Sequence, residues 1–69
     1  MLSIIIPSYK SAVTLAGQLP DFINYLKNKN IVHEIIVVDD GSMDMGATAK
    51  VATDNGCIYL ENKINITIH

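Results

Sequence analysis

Two short polar segments hold the residues of this chain that could bind a ligand. Pro7-Ser8-Tyr9-Lys10 supplies a hydroxyl, an aromatic ring and an ammonium group, and Asp39-Asp40-Gly41-Ser42 supplies two carboxylates and a second hydroxyl. Both segments lie at the end of an apolar run that is typical of a strand. In an open parallel sheet, ligands bind outside the carboxyl ends of the strands. We therefore expect the two segments to open on one rim of a sheet.

The two adjacent carboxylates of the second segment are not expected to chelate a metal ion together. Neighbouring residues at a strand end project to opposite faces of the sheet. A calcium loop that begins at Asp40 is excluded as well, because Met45 stands where glycine is required and Val51 where a bidentate glutamate is required. We expect no metal ion to be bound tightly by this chain alone.

Three apolar runs are predicted to be strands of a parallel sheet. They are residues 2–6, 34–39 and 57–60. The first two are continuous rather than alternating, which predicts strands buried on both faces, and the first is predicted to stop at Pro7. Residues 64–68 alternate between apolar and polar, so the tail 64–69 is predicted to be an edge strand or a segment that pairs with another copy.

Two helices are predicted between these strands. An apolar stripe at spacings of three and four predicts the first helix over residues 12–28. The stripe consists of Leu15, Leu19, Phe22, Ile23 and Leu26. Gly17 and Pro20 weaken this helix and predict a loose, kinked or divided first half. The second helix is predicted from an N-cap at Ser42, with Asp44 in its first turn, to Asn55-Gly56. This order of elements predicts an α/β fold, a parallel three-stranded βαβαβ half of a doubly wound, Rossmann-like fold.

The composition excludes several classes of function. The 69 residues are 49% hydrophobic and carry a net charge of −2 without a basic run, which argues against nucleic-acid binding. The apolar runs are far shorter than the roughly 18 to 20 residues that span a membrane. A single cysteine, Cys57, permits no intrachain disulfide, and the N-terminus shows no signal peptide, so we expect a cytoplasmic chain. A chain this short is marginally stable by itself, which predicts a partner or a missing remainder.

The two polar segments and their spacing resemble the N-terminal end of a family-2 glycosyltransferase of the GT-A fold. The resemblance rests on residues 3–10, on residues 34–44 and on Glu61-Asn62-Lys63. The second stretch is the more specific, because a strand ending in two acids, Gly, Ser and a further Asp is the usual nucleotide-binding signature of that family. The resemblance implies that residues 1–63 are the nucleotide-sugar-binding N-terminal part of such a domain.

The resemblance also implies roles for individual residues at a nucleotide site. Tyr9 matches the aromatic position that packs against the base, and Pro7 and Ser8 match positions that line it. Asp40 matches the acid that accepts a hydrogen bond from the uracil ring N–H, with Asp39 and Ser42 beside it. An aromatic face provides base stacking of about 1 to 3 kcal/mol. A carboxylate only accepts hydrogen bonds and therefore selects a base edge that presents a donor.

The resemblance places the chemical step outside these residues. The Asp-x-Asp motif that holds a divalent cation, Mg or Mn, and the catalytic base both lie on later strands of the family. After Lys63 the chain departs from the family pattern and reads Ile-Asn-Ile-Thr-Ile-His. The implied activity is therefore sugar transfer from a nucleotide-diphosphate sugar, most simply a UDP-sugar, to an acceptor hydroxyl by the complete enzyme. No catalytic residue is predicted in this chain, which is expected to be inactive alone.

Three alternatives remain beside this interpretation. An inactive truncated fragment would fold and form homo-oligomers, because the first strand loses a family neighbour and exposes its edge. A receiver module is disfavoured, since its acidic pair should follow the first strand rather than the second. A dinucleotide oxidoreductase is disfavoured because no Gly-x-Gly-x-x-Gly follows the first strand.

Overall fold

The computed structural model describes residues 1–41 and 43–62. The elements in chain order are β1 (Leu2–Ser8), α1 (Ala12–Asn28), β2 (His33–Asp39), α2 (Ala47–Asp54) and β3 (Ile58–Glu61). The three strands form one parallel sheet in the order β1-β2-β3. The predicted α/β class and the βαβαβ order are confirmed. The predicted tail at 64–69 and the predicted cap at Ser42 lie outside the described residues.

Helix α1 has the bounds that its apolar stripe predicts. Leu15, Leu19 and Leu26 are buried in the core, whereas Phe22, predicted in the same stripe, is exposed and lies outside the core cluster. The helix runs without a break through Pro20, so the division predicted there does not occur. A proline inside a helix removes one backbone hydrogen bond. Burial of the leucine stripe on both sides of Pro20 outweighs that local loss.

The core lies on one side of the sheet. Ile35 and Val37 of the central strand pack against the α1 leucines, and Ala52 of α2 and Cys57 complete the cluster. The two helices also contact each other. Right-handed crossovers between strands that are added in one direction place successive helices on the same face. Both helices therefore cover one face of the sheet.

The other face of the sheet is uncovered among the described residues. Ile5 is 66% exposed, Ile58 46% and Leu60 53%. The prediction that the first two strands are buried on both faces is therefore wrong for the described part of the chain. Their continuous apolar composition is typical of strands that are covered on both faces. Because the strands are added in one direction, however, both described helices lie on the same side of the sheet. We call this surface the open face; it consists of Ile5, Pro7, Ile36, Val38, Ile58 and Leu60.

Two predicted boundaries are also wrong. Strand β1 continues through Pro7 to Ser8 instead of stopping at Pro7. Proline is tolerated in a strand that pairs on one side only, and β2 is the one partner of β1 in the described sheet. Helix α2 begins at Ala47 after an N-cap at Gly46, four residues later than predicted from Ser42.

The late start of α2 follows from the conformation of the preceding loop. Met43 (φ 50°) and Met45 (φ 58°) both adopt left-handed backbone, which a right-handed helix does not accommodate. Asp44 between them accepts hydrogen bonds from the backbone N–H of Thr48 at 3.1 Å and from the Thr48 hydroxyl. Asp44 thus caps α2 from outside the helix. Within the described ranges, no helix has the length and apolar content needed to cross a membrane.

Candidate functional site

The carboxyl ends of the three strands meet on one rim, as the sequence predicts. Ser8, Asp39 and Glu61 lie side by side in the strand register. The backbone N–H of Asp40 donates to the carbonyl of Ser8 at 2.9 Å, and the N–H of Asn62 donates to the carbonyl of Asp39 at 2.8 Å. These bonds extend the pairing just beyond the strands. They bring the two polar segments into one place.

Asp39 points into the protein. It is 2% exposed, and its Oδ2 accepts a hydrogen bond from the Tyr59 hydroxyl at 2.8 Å. Burial of the phenol raises the pKa of Tyr59 well above its ordinary value, and the hydrogen bond to Asp39 and the charge of that carboxylate raise it further. Tyr59 therefore remains a proton donor to Asp39 across the physiological pH range. The buried Asp39 carboxylate thus links the end of β2 to β3 beneath the rim.

Asp40 points outward. It is exposed at the rim, and its Oδ1 accepts a hydrogen bond from Asn62 Nδ2 at 3.2 Å. The adjacent acids thus separate as the strand geometry predicts, one buried and one facing solvent. Of these two carboxylates, Asp40 is the one that an incoming ligand can reach directly.

Tyr9 directly follows the end of β1, as Asp40 directly follows the end of β2 on the neighbouring strand. The Tyr9 side chain is 52% exposed, and the Lys10 ammonium lies 5.2 Å from the centre of its ring. The Ser11 hydroxyl donates to the Tyr9 carbonyl at 2.8 Å and holds the loop as it enters α1. Tyr9 therefore presents an aromatic surface on the same rim as the exposed acid.

Ser8 and Pro7 lie on opposite sides of the sheet. Ser8 is 5% exposed on the helix-covered side, and its Oγ has no hydrogen-bond partner among residues 1–41 and 43–62. Pro7 is exposed on the open face. The rim brings together Ser8, Tyr9, Asp39 and Asp40 of the six predicted residues. Pro7 is set apart from them, and Ser42 is not described.

A cavity of about 250 Å³ adjoins Asp39 on the side of α2. Asp44 and Glu61 line it together with Tyr59. The Thr48 hydroxyl lowers the pKa of Asp44 below its ordinary value by hydrogen bonding to its ionised form. The carboxylates of Asp39, Asp44 and Glu61 thus make this side of the rim acidic.

The described carboxylates do not form a site for a divalent cation. Within residues 1–41 and 43–62, no group of three His, Cys, Asp or Glu side chains is placed to hold a metal ion. Asp39 is bonded to Tyr59, and Asp44 is bonded to Thr48. The part of the chain that is described thus does not fit the cation that the resemblance assigns to the complete enzyme.

The sequence predicts no role for two further residues of the rim. Tyr59 bonds Asp39, and Asn62 bonds both the side chain of Asp40 and the backbone of Asp39. The resemblance includes Asn62 without a function, and Tyr59 lies in a predicted strand. The available signal is the alternation of side chains along the predicted third strand, but which of its residues meets Asp39 depends on the strand register, which one sequence does not specify.

The fold and the rim together define a Rossmann-like half fold, with polar groups at the carboxyl ends of parallel strands. The chain is 40% identical over 67 residues to a dolichyl-phosphate beta-glucosyltransferase of Dictyostelium discoideum, which covers 90% of this chain and 19% of that protein. It is 34% identical over 70 residues to the dolichyl-phosphate beta-glucosyltransferase of Mus musculus, covering 94% of this chain and 21% of that protein.

These matches confirm the resemblance that the motifs predict, to the N-terminal part of family-2 glycosyltransferases. The chain spans about a fifth of the length of the curated relatives that it matches. No protein-family model and no solved structure gives a significant match.

Proposed function

We propose that this chain is the nucleoside-binding part of a glycosyltransferase that takes its sugar from a nucleotide-diphosphate donor, a UDP-sugar. The observation that carries the proposal is that an exposed acid, Asp40, and an exposed tyrosine, Tyr9, follow the ends of two paired strands on one rim of a parallel sheet. Similarity to two glycosyltransferases supports sugar transfer as the reaction class.

In this proposal the base of the donor stacks on Tyr9 and its ring N–H donates to Asp40. Stacking requires an accessible aromatic ring, and the Tyr9 side chain is 52% exposed, with the Lys10 ammonium 5.2 Å from its ring centre. An ionised carboxylate accepts hydrogen bonds but cannot donate them, so it favours uracil, whose ring N–H is a donor. Asn62 already donates to one oxygen of Asp40 and holds the carboxylate at the rim.

Asp39 and Ser8 are proposed to support this site from below. Asp39 accepts a hydrogen bond from the Tyr59 hydroxyl and pairs with Ser8 in the strand register. The two loops therefore leave the sheet from strand ends that are held in place. Ser8 lies beside Asp39 in the strand register and is buried on the helix-covered side, so it underlies the rim rather than facing a ligand directly.

The sugar, the acceptor and the chemical step belong to the complete enzyme in this proposal. There, a base would deprotonate the acceptor hydroxyl, whose oxygen then attacks the anomeric carbon as the nucleoside diphosphate leaves. The divalent cation, Mg or Mn, is assigned to residues outside this chain, because the described carboxylates do not fit it. A cytoplasmic location and homo-oligomers formed through the edge of β1 stay predictions.

The test is a titration of the isotope-labelled chain with UDP, followed by amide NMR, with CDP and GDP for comparison. We expect shifts confined to the rim around Tyr9, Asp39 and Asp40, and weaker binding of CDP because cytosine offers an acceptor at the corresponding ring nitrogen. Uridine should bind about as weakly as UDP, since the described residues form no cation site to hold the diphosphate. Strong dependence of UDP binding on manganese would contradict that assignment.

The sharpest variant is Tyr9→Leu, and the chain offers a matched control. Loss of stacking should weaken UDP binding by about 5- to 150-fold. Tyr25→Leu removes a tyrosine of similar exposure, 56%, which also has a lysine ammonium near its ring, 5.8 Å from the centroid. The Tyr25 variant should bind as the parent does. Equal losses in both variants would refute a base site at Tyr9.

A second candidate function is a folded remnant without binding activity. Absence of amide shifts at millimolar UDP, in a chain whose spectrum shows an intact fold, would support this candidate and reject the first.

A further inference from the structure

Asn62 lies against the loop that follows β2. Its backbone N–H donates to the Asp39 carbonyl at 2.8 Å, and its side-chain Nδ2 donates to Asp40 Oδ1 at 3.2 Å. A Cβ placed on Gly41 would lie 3.7 Å from the Asn62 carbonyl oxygen. Both the backbone and the side chain of Asn62 are therefore held at this loop, and its amide group lies next to the acid of the proposed site.

The orientation of the Asn62 amide follows from the charge of its partner. An ionised carboxylate only accepts hydrogen bonds, so the amide turns its NH2 group rather than its oxygen toward Asp40. An NH2 group has two N–H donors, and Asp40 Oδ1 takes one of them. Both residues are exposed at the rim. The second N–H of Asn62 and the other oxygen of Asp40 can therefore meet a ligand side by side.

A donor beside an acceptor matches one kind of base edge. Uracil presents a ring N–H that is flanked by carbonyl oxygens, whereas cytosine and adenine present an acceptor nitrogen at the corresponding position. We propose that Asn62 is a specificity-determining residue of the nucleoside site. Its second amide hydrogen donates to a carbonyl oxygen of uracil while Asp40 accepts the adjacent ring N–H. This inference rests on the proposed function, because it requires the base to meet Asp40.

Reading a carbonyl is a different role from holding Asp40 in place. A residue that only positions the carboxylate strengthens every ligand that donates to Asp40 by the same factor. A direct hydrogen bond to the base makes binding depend on the carbonyl as well. The two roles are therefore separated by changing Asn62 and the carbonyl together, because only groups that interact directly have coupled effects.

The experiment is an amide NMR titration of the full 69-residue chain with UDP and with its two thiouracil analogues. In each analogue, sulfur replaces one carbonyl oxygen of the base and the ring N–H is retained. Because sulfur is a weak acceptor, we expect one analogue to bind the parent chain about 3- to 10-fold more weakly than UDP. In Asn62→Ala, which keeps the backbone N–H that bonds Asp39, this preference for UDP should disappear.

Asn24→Ala is the matched control. Asn24 is an exposed asparagine in the second half of α1, and the rim lies at the other end of that helix. This variant should keep the preference of the parent for UDP over the thiouracil analogue. A dispersed NMR spectrum of Asn62→Ala shows that its fold is retained, so a lost preference then reports on the site.

Two results would overturn the inference and leave the proposed base site intact. One is equal binding of UDP and both analogues by the parent chain. The other is a variant Asn62→Ala that binds all three ligands more weakly by one common factor, because Asn62 then acts through Asp40 alone. Absence of UDP binding to the folded parent chain would reject the proposed function and this inference together.

Discussion

At the scale of single residues, the adjacent acids at the end of β2 have separate roles. Asp39 is buried and bonded to Tyr59, whereas Asp40 is exposed and bonded to Asn62. The alternation of side chains along a strand is the physical reason for the difference. In the proposed site, Asp40 is therefore the acid that meets the ligand, and Asp39 bonds the neighbouring strand through Tyr59.

Tyr59→Phe tests the supporting role of Asp39. The change deletes one oxygen and leaves a buried carboxylate without its hydroxyl donor, so the free energy of unfolding should fall by about 1 to 3 kcal/mol. Urea denaturation measures the change. Tyr25→Phe, at an exposed tyrosine, is the matched control and should have little effect. Equal stability of the Tyr59 variant and the parent would show that the bond to Asp39 contributes nothing.

At the scale of elements, the sequence predicts the bounds of α1 correctly but places the start of α2 too early. The bounds of α1 follow from a long apolar stripe that dominates Gly17 and Pro20. Helix α2 has only eight residues and a weak stripe, and its start depends on left-handed backbone at Met43 and Met45. Such conformations are uncommon for non-glycine residues, so residue preferences do not predict them.

Gly17→Ala should stabilise the protein. A Cβ at this exposed position of α1 would meet no atom within 4 Å, and alanine favours the helix by about 0.5 to 1 kcal/mol over glycine. Gly46→Ala is the matched contrast, because that site is equally open but has φ +84°, where a side chain is strained. Thermal unfolding should show a higher midpoint for the first variant and a lower one for the second. Destabilisation by Gly17→Ala would mean that α1 is not continuous through this point.

Asp44→Asn tests the cap of α2 through its pH dependence. Because the pKa of Asp44 is lowered in the folded state, its ionised form stabilises the fold above the unfolded value of 3.8. That stability is lost as the pH falls through the folded-state pKa. The variant should unfold at a lower temperature than the parent at pH 7, and the gap should close below pH 3.8.

The control for this prediction is Asp21→Asn, at an exposed acid on α1. Its unfolding temperature should stay close to that of the parent at both pH values. A gap between Asp44→Asn and the parent that persists unchanged at low pH would assign the effect to the amide itself rather than to the lost charge.

At the scale of the whole molecule, the sequence predicts the order of the elements and the meeting of the two polar segments on one rim. Both follow from apolar periodicity and parallel topology, and both are confirmed. The sequence does not predict that Ile5 and Leu60 are exposed. An apolar composition is compatible with burial on both faces of a strand, but it does not show whether another element covers each face. Tyr59 as the donor to Asp39 depends on strand register, which one sequence does not specify.

The strand order has a consequence for how the chain is made. β1 pairs with β2 across 31 positions of sequence, and β2 pairs with β3 across 22, so each strand joins the one synthesised immediately before it. Among the described strands, none has to be inserted between two earlier ones. Translation therefore delivers the described strands in the order in which they neighbour one another in the sheet, so each strand finds its partner already synthesised when it leaves the ribosome.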